Sequence, residues 1–264
     1  MTPSAIERAA ELLGAARLAR RRFDRLPEDC RPPDVAAAYA VQDALHARLE
    51  AAGCGALAGH KIGCTTPIMQ EFLGIASPCA GGVLAPTAHR AQGAFRHADF
   101  VHVGVECEIA VRLGGALPVS DAPHRRASVA PAISACMAAI EVVDDRYLDY
   151  RSLDTPTLVA DDFFNAACVL GAPVAAWRDL DLAGLRGGMA INGAEIGTGR
   201  GSDILGHPLE ALAWLANALA TRGRHLRAGE FVLLGSVVQT RWVEAGDLVE
   251  VEIEGLGRAS ARFI

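Results

Sequence analysis

Two glutamates separated by a single residue, Glu106 and Glu108, lie in the middle of Val101-His-Val-Gly-Val-Glu-Cys-Glu-Ile-Ala-Val-Arg-Leu113. The odd positions of that stretch are all apolar: Val101, Val103, Val105, Cys107, Ile109, Val111 and Leu113. A period of two predicts a strand with one buried face, so both carboxylates project side by side from the other. Carboxylates held that close repel unless one takes up a proton or a cation lies between them. A hard divalent ion with oxygen ligands resolves the repulsion. Two solvated glutamates on an exposed strand face would leave the same pattern, so the pair alone keeps both readings open.

A second chemical candidate stands out by its rarity. The chain has 25 basic residues, and Lys61 is the one lysine among them. Arginine therefore serves every ordinary surface positive charge. The single ammonium suggests a task guanidinium cannot perform, namely exchanging a proton from a compact, tunable point charge. Chance retention is the competing reading. His60, its neighbour, would face the opposite way on an extended segment and is read as structural.

These residues need elements to hold them. A first helix is predicted over roughly 3–25, with Pro27 and Pro32-Pro33 as breaks. Asp34 caps a second helix running through Glu50, with Val35, Ala38, Val41, Leu45 and Leu49 at helical spacing. Thr66-Pro67 reads as the N-cap and first position of a short helix ending near Gly74. From about residue 80 onward short strands dominate, near 82–86, 101–113, 139–144, 167–174, 188–192, 230–235, 247–254 and 258–263. Asn192-Gly193 marks a tight hairpin. A helix is expected around 130–138 and another over Pro208–Leu219. The pattern favours an α+β fold, a rolled mixed β-sheet or barrel core with an N-terminal helical region. The expected division is 1–55 for the helices and 56–264 for the mixed-β catalytic core.

Composition narrows the function classes. At 264 residues and 51% hydrophobic, the chain can bury a substantial core. A net charge of −6 gives no reason to expect nucleic acid. The arginines between Arg17 and Arg25 interleave with Leu18 and Phe23, and with Leu12, Leu13 and Ala16 upstream they read as the charged face of an amphipathic helix. No run approaches the roughly 18 apolar residues of a membrane helix, and the first residues lack a signal-peptide apolar region. Seven cysteines, scattered and without a C-x-x-C, suit reduced thiols in a cytoplasm. Gly197-Thr-Gly-Arg-Gly-Ser lacks the lysine and spacing of a phosphate-cradling loop.

In order along the chain, Lys61-Ile-Gly-Cys-Thr-Thr-Pro-Ile-Met-Gln, Val105-Glu-Cys-Glu-Ile-Ala and Ala139-Ile-Glu-Val-Val-Asp-Asp-Arg146 resemble the hydratase/decarboxylase branch of the fumarylacetoacetate hydrolase superfamily. Leu205-Gly-His-Pro, Leu226-Arg-Ala-Gly-Glu, Leu234-Gly-Ser236 and Gly255-Leu-Gly-Arg-Ala-Ser-Ala-Arg-Phe263 extend the likeness to nearly the whole chain. The resemblance implies Mg²⁺ or Mn²⁺ on Glu106, Glu108 and Glu141, with Lys61 catalytic and Ser236 near the substrate. Glu141 lies among Ile140, Val142 and Val143, where a lone ionised carboxylate would be costly. Asp144, Asp145 and Arg146 are expected to pair among themselves in support of it.

The activity implied by the resemblance is that of a lyase on short unsaturated 2-oxo acids. Hydration of 2-hydroxypenta-2,4-dienoate-type substrates in aromatic-compound catabolism comes first. Decarboxylation of 2-oxo-3-hexenedioate-type acids, tautomerisation, and C–C hydrolysis of acylpyruvates are the alternatives, and a non-catalytic partner subunit is a further one. The family also implies a homo-oligomer, or a complex with a related family enzyme. Two departures bear on the choice. Cys79 stands where the family's Pro-Asp-(aromatic)-Gly element carries its aspartate, and a thiol is a poor substitute. The family's Asp-Asn-Ala-Ser element is replaced by Asp161-Asp-Phe-Phe-Asn165, so Phe163 and Phe164 either make the substrate wall bulkier or pack into the core.

Overall fold

The long central strands of the chain are buried on both faces, whereas its later, shorter strands alternate between buried and exposed residues. The computed structural model describes residues 1–66, 70–71 and 75–264. A seven-stranded sheet runs in the order β2 (Cys79–Leu84), β1 (Leu57–Gly63), β10 (Phe231–Trp242), β5 (Val103–Leu113), β6 (Ile133–Asp144), β7 (Asn165–Leu170) and β3 (Ala88–Arg90). A five-stranded sheet runs β4 (Gln92–Phe95), β12 (Gly257–Phe263), β11 (Leu248–Ile253), β8 (Arg186–Ile191) and β9 (Ala194–Arg200). The apolar set predicted for β5, from Val103 to Leu113 but without Val101, which precedes the strand, joins Cys136, Ala138, Ile140 and Val142 of β6 in the main core, together with Val249, Val251, Ala259 and Phe263 of the second sheet. The opposite face of the large sheet carries a smaller cluster, Ala110, Met137, Ala139, Cys168 and Leu233. Glu106, Glu108 and Glu141 share that face by the alternation of their strands.

Two helices precede the sheets. Thr2 caps α1 (Pro3–Leu18) by accepting from the Ala5 N–H, and Asp34 caps α2 (Val35–Leu49) by accepting from the Ala37 N–H. The first helix stops at Leu18 rather than near 25. Arg20 turns left-handed (φ 51°) and the Arg21 N–H bonds back to the Ala16 carbonyl, which closes the last turn. The arginine run therefore leaves the helix. Arg17 is no solvated surface charge either, since it binds Asp161 and Asp162.

Further along, the helix expected around 130–138 is confined to α3 (Arg126–Val129) and a 3₁₀ turn, Ala130–Ala132. From Ile133 the chain is strand. That stretch is small and apolar on both sides, as suits a central strand with neighbours covering both faces, and such a run lacks the alternation that would announce it. β10 runs on to Trp242 through register shifts, well past the predicted 230–235. Asn192 (φ 52°) and Gly193 (φ 79°) make the expected hairpin between β8 and β9. The short helix expected over Thr66 to Gly74 falls largely outside the described residues. α4 (Thr155–Ala160) and α5 (Pro208–Ala220) complete the longer elements. Among the described residues no helix is long and apolar enough to cross a membrane.

Candidate metal centre

The antiparallel register of β5 and β6 sets Glu106 directly opposite Glu141, with Glu108 opposite Ala139. One oxygen of each of the three carboxylates lies within 4.8 Å of the others. Glu108 and Glu141 have no exposed surface, while Glu106 is half-buried. Like charges directly across a strand pair oppose one another, so something must compensate them.

Part of that compensation comes from the protein. Thr240 Oγ1 donates to Glu106 Oε1, the Gly235 N–H donates to Glu108 Oε2 at 2.9 Å, and Asn165 Nδ2 donates to Glu141 Oε1 at 2.9 Å. Lys61 Nζ lies 3.2 Å from Glu141 Oε1 and donates to the Phe163 carbonyl at 3.1 Å. Glu108 Oε1 and Glu141 Oε2 are buried and meet no donor among the described residues. One ammonium against three carboxylates leaves two negative charges in excess when all are ionised. An all-oxygen donor set with two orphaned buried oxygens fits a hard divalent cation, with Glu106, Glu108 and Glu141 as its ligands.

The electrostatics agree with that fit. Burial, then the neighbouring Glu141, raises Glu106 above the ordinary carboxylate range. Burial, then Glu141 and Glu106, raises Glu108 well above it. Burial opposes the charge on Lys61, but Glu141, Glu106 and Glu108 outweigh burial and raise its affinity for a proton. The lysine is 2% exposed and is therefore an ammonium held inside the protein.

The other candidate residues take different places. Cys79 is buried beside the buried Cys64, and the neighbouring thiol pushes Cys64 upward and Cys79 downward. Phe163 sets its ring 5.4 Å from Lys61 Nζ. Phe164 packs edge-on against Tyr147, Tyr150 and Phe163 in an aromatic cluster. Ser236 directs its hydroxyl at strand backbone, 3.2 Å from the Cys107 carbonyl. His60 is buried on the opposite side of β1 with its Nε2 3.9 Å from Glu230.

The expected self-pairing of Asp144, Asp145 and Arg146 does not form. Asp144 accepts from the Val101 and His102 N–H groups, Asp145 accepts from the Tyr147 N–H, and Arg146 binds Asp161 at 2.9 Å. Strand β6 ends at Asp144, and beyond it each side chain is taken by a different segment: Asp144 by the backbone before β5, Asp145 by its own turn and Arg146 by Asp161.

Nothing in the sequence points to Thr240, Asn165 and the Gly235 N–H as carboxylate partners. Each comes from a strand far away in sequence, and no local spacing announces them. A cleft of about 460 Å³ between α2 and the segment after α5, lined by Asp43, His46, Arg224 and Arg227, lies apart from the carboxylates. Arg224 pairs with Asp43 there, so its charge is already met.

Residues 80–264 match the family described as fumarylacetoacetate (FAA) hydrolase C-terminal. The sequence is 36% identical to a 2-keto-4-pentenoate hydratase of Paraburkholderia phymatum over 260 residues, 98% of this chain and 97% of that one. It is 31% identical to 4-oxalocrotonate decarboxylase of Pseudomonas putida over 255 residues, 97% of this chain and 95% of that one. The fold superposes with a TM-score of 0.93 and 31% identity on 4-oxalocrotonate decarboxylase from Pseudomonas putida G7 complexed with magnesium and adipate, covering 100% of this chain and 99% of that one.

Proposed function

The chain belongs to the fumarylacetoacetate hydrolase family, and from that premise we propose that it is a divalent-metal-dependent lyase of short unsaturated 2-oxo acids whose reaction is hydration of 2-hydroxypenta-2,4-dienoate-type substrates. One observation carries the reading: three converging carboxylates, two of them fully buried, with undonated oxygens beside the chain's single lysine ammonium. Mg²⁺ or Mn²⁺ held by Glu106, Glu108 and Glu141 supplies Lewis-acid stabilisation of negative charge on the adjacent oxygens of a 2-oxo acid.

The protein's own groups do the rest. Ketonisation moves a proton from the 2-hydroxyl to carbon, after which water adds across the remaining carbon–carbon double bond. Lys61 Nζ, an ammonium beside Glu141, is the group that holds and hands on a proton in this scheme. Asn165, Thr240 and the Gly235 N–H fix the carboxylates so that they do not reorganise as charge develops. The Phe163 ring keeps water from the side of Lys61 it covers.

Decarboxylation of a 2-oxo-3-hexenedioate-type acid is the second reading, and the environment of Cys79 favours it. A free, buried thiol at this position supplies no carboxylate for a second proton transfer, and loss of carbon dioxide needs only one proton returned to carbon. Product analysis with Mg²⁺, and with a chelator as control, separates the readings. A 4-hydroxy-2-oxo acid formed from 2-hydroxypenta-2,4-dienoate supports the hydratase. Carbon dioxide released from 2-oxohex-3-enedioate, without hydration of the dienoate, would replace it by the decarboxylase. Cleavage of an acylpyruvate would point to the hydrolase. Metal-raised stability with no turnover of any of these would indicate a non-catalytic partner.

We further propose that the protein is a cytoplasmic homo-oligomer; its seven unpaired cysteines support the reducing compartment. Light scattering of the purified protein checks the assembly, and a sharp mass equal to one chain would overturn that part.

A further inference from the structure

We infer that Asp162 is a positioning residue for Lys61: from outside the site it anchors a left-handed turn that sets the Phe163 carbonyl on the lysine ammonium. The inference rests on the reading of Lys61 as the proton-carrying group.

Three consecutive non-glycine residues, Asp162 (φ 55°), Phe163 (φ 49°) and Phe164 (φ 69°), occupy the left-handed region. A single such residue is uncommon, and bulky side chains resist it most. Three in a row persist only where the surroundings over-determine them. Asp162 supplies that determination. It is 1% exposed, and its Oδ1 accepts from the Gly82 N–H at 2.8 Å and meets His46 Nε2 at 2.7 Å. Its Oδ2 lies 3.0 Å from Arg17 Nη1. The carboxylate thereby ties the turn to α1, α2 and β2 at once.

The backbone of the turn is pressed against the same strand. A Cβ added at Gly81 would sit 2.6 Å from the Asp162 carbonyl oxygen, so only glycine lets the two chains approach this closely. On its inner side the turn delivers two contacts to the site. The Phe163 carbonyl accepts from Lys61 Nζ at 3.1 Å, and Asn165, just past the turn, donates to Glu141. Lys61 is thus held between Glu141 and a carbonyl whose position depends on a carboxylate that it does not touch.

The single lysine makes the test direct, because protein grown with ¹³C- or ¹⁵N-labelled lysine reports Lys61 alone. Asp162→Ala is expected to lower kcat by about tenfold or more with KM within about twofold. The Lys61 side-chain resonance should move in the metal-free protein, while the rise in Tm on adding Mg²⁺ stays. Asp162→Asn keeps an acceptor for the Gly82 N–H and tolerates the left-handed conformation, so it should recover most of the loss. His46→Ala withdraws the anchor from α2 and should shift the resonance the same way to a smaller extent, which keeps the inference testable if Asp162→Ala does not fold. A folded Asp162→Ala or His46→Ala protein with an unmoved Lys61 resonance would overturn it, whatever happens to kcat. If Lys61→Arg kept full activity, the catalytic reading of Lys61 would fall instead, and the resonance would still report positioning.

Discussion

Glu106 and Glu141 face each other across two strands, and this opposition organises everything around it. Ionised together in a buried setting they destabilise the fold, and in return they attract a cation. Glu106→Gln should therefore do two opposite things. Turnover and the Mg²⁺-induced rise in Tm should be lost, while the metal-free protein should gain stability on the order of 1 kcal/mol. Paired thermal melts with Mg²⁺ and with chelator read both, and an unchanged metal response would remove Glu106 from the ligand set. Lys61→Arg should keep the fold and the metal response but reduce the rate by about 10²-fold or more, because a planar guanidinium cannot take the compact ammonium's place between Glu141 and the Phe163 carbonyl. A near-normal rate would free the lysine of any proton-carrying role. Among single residues the sequence is legible where chemistry is rare, as at the one lysine and the Glu-x-Glu pair. It is silent on Thr240 and Asn165, whose partners lie across strands.

The strand β10 bends where it meets the carboxylates. Its register against β5 shifts between Leu233 and Ser236, and Gly235 takes φ 126° so that its N–H reaches Glu108. A Cβ at Gly235 would lie 2.5 Å from Thr65 Oγ1. Gly235→Ala is thus strained twice, by its dihedral and by its neighbour, and should cost about 1–3 kcal/mol of stability. It should also weaken Mg²⁺ binding by about tenfold, since Glu108 loses a fixed donor worth roughly 1.5 kcal/mol. Isothermal titration with Mg²⁺ on the folded variant checks this, and an unaltered affinity would separate the bend from the metal site. The elements themselves are readable where alternation or capping is strong, as in β5, α2 and the Asn192-Gly193 hairpin. The start of Ile133–Asp144 escapes a reading by pattern because a strand covered on both faces loses its alternation.

For the molecule as a whole, the buried acids couple stability to pH. Burial foremost, and then neighbouring carboxylates, raise Glu106 and Glu108 above their value of 4.5. Between that value and their raised folded values the native state holds more protons than the unfolded chain. Its stability without metal therefore falls as pH rises through this window. A divalent ion competes with those protons. The gain in Tm on adding Mg²⁺ should accordingly be larger at about pH 8 than at about pH 6. Melting curves taken across pH with Mg²⁺ and with chelator isolate this term, because contributions from distant groups such as Asp162 cancel in the difference. A gain independent of pH would mean that these carboxylates are already ionised in the metal-free protein.

Which side chains share a face is written in the order of residues alone, because strand period is a local property of the chain. That sufficed to place Glu106 beside Glu108 and to set His60 apart from Lys61, while the expectation of a metal on those acids came from the likeness of the motifs to the family. What stands opposite what is settled only when the chain has folded. The register of β5 against β6 pairs Glu106 with Glu141, the adjacency of β1 to β10 brings Lys61 to the same face, and the left-handed turn at Asp162 sets a carbonyl on that lysine. Those relations depend on contacts between segments distant along the chain, which burial and backbone pairing select together and which no short stretch of residues encodes alone.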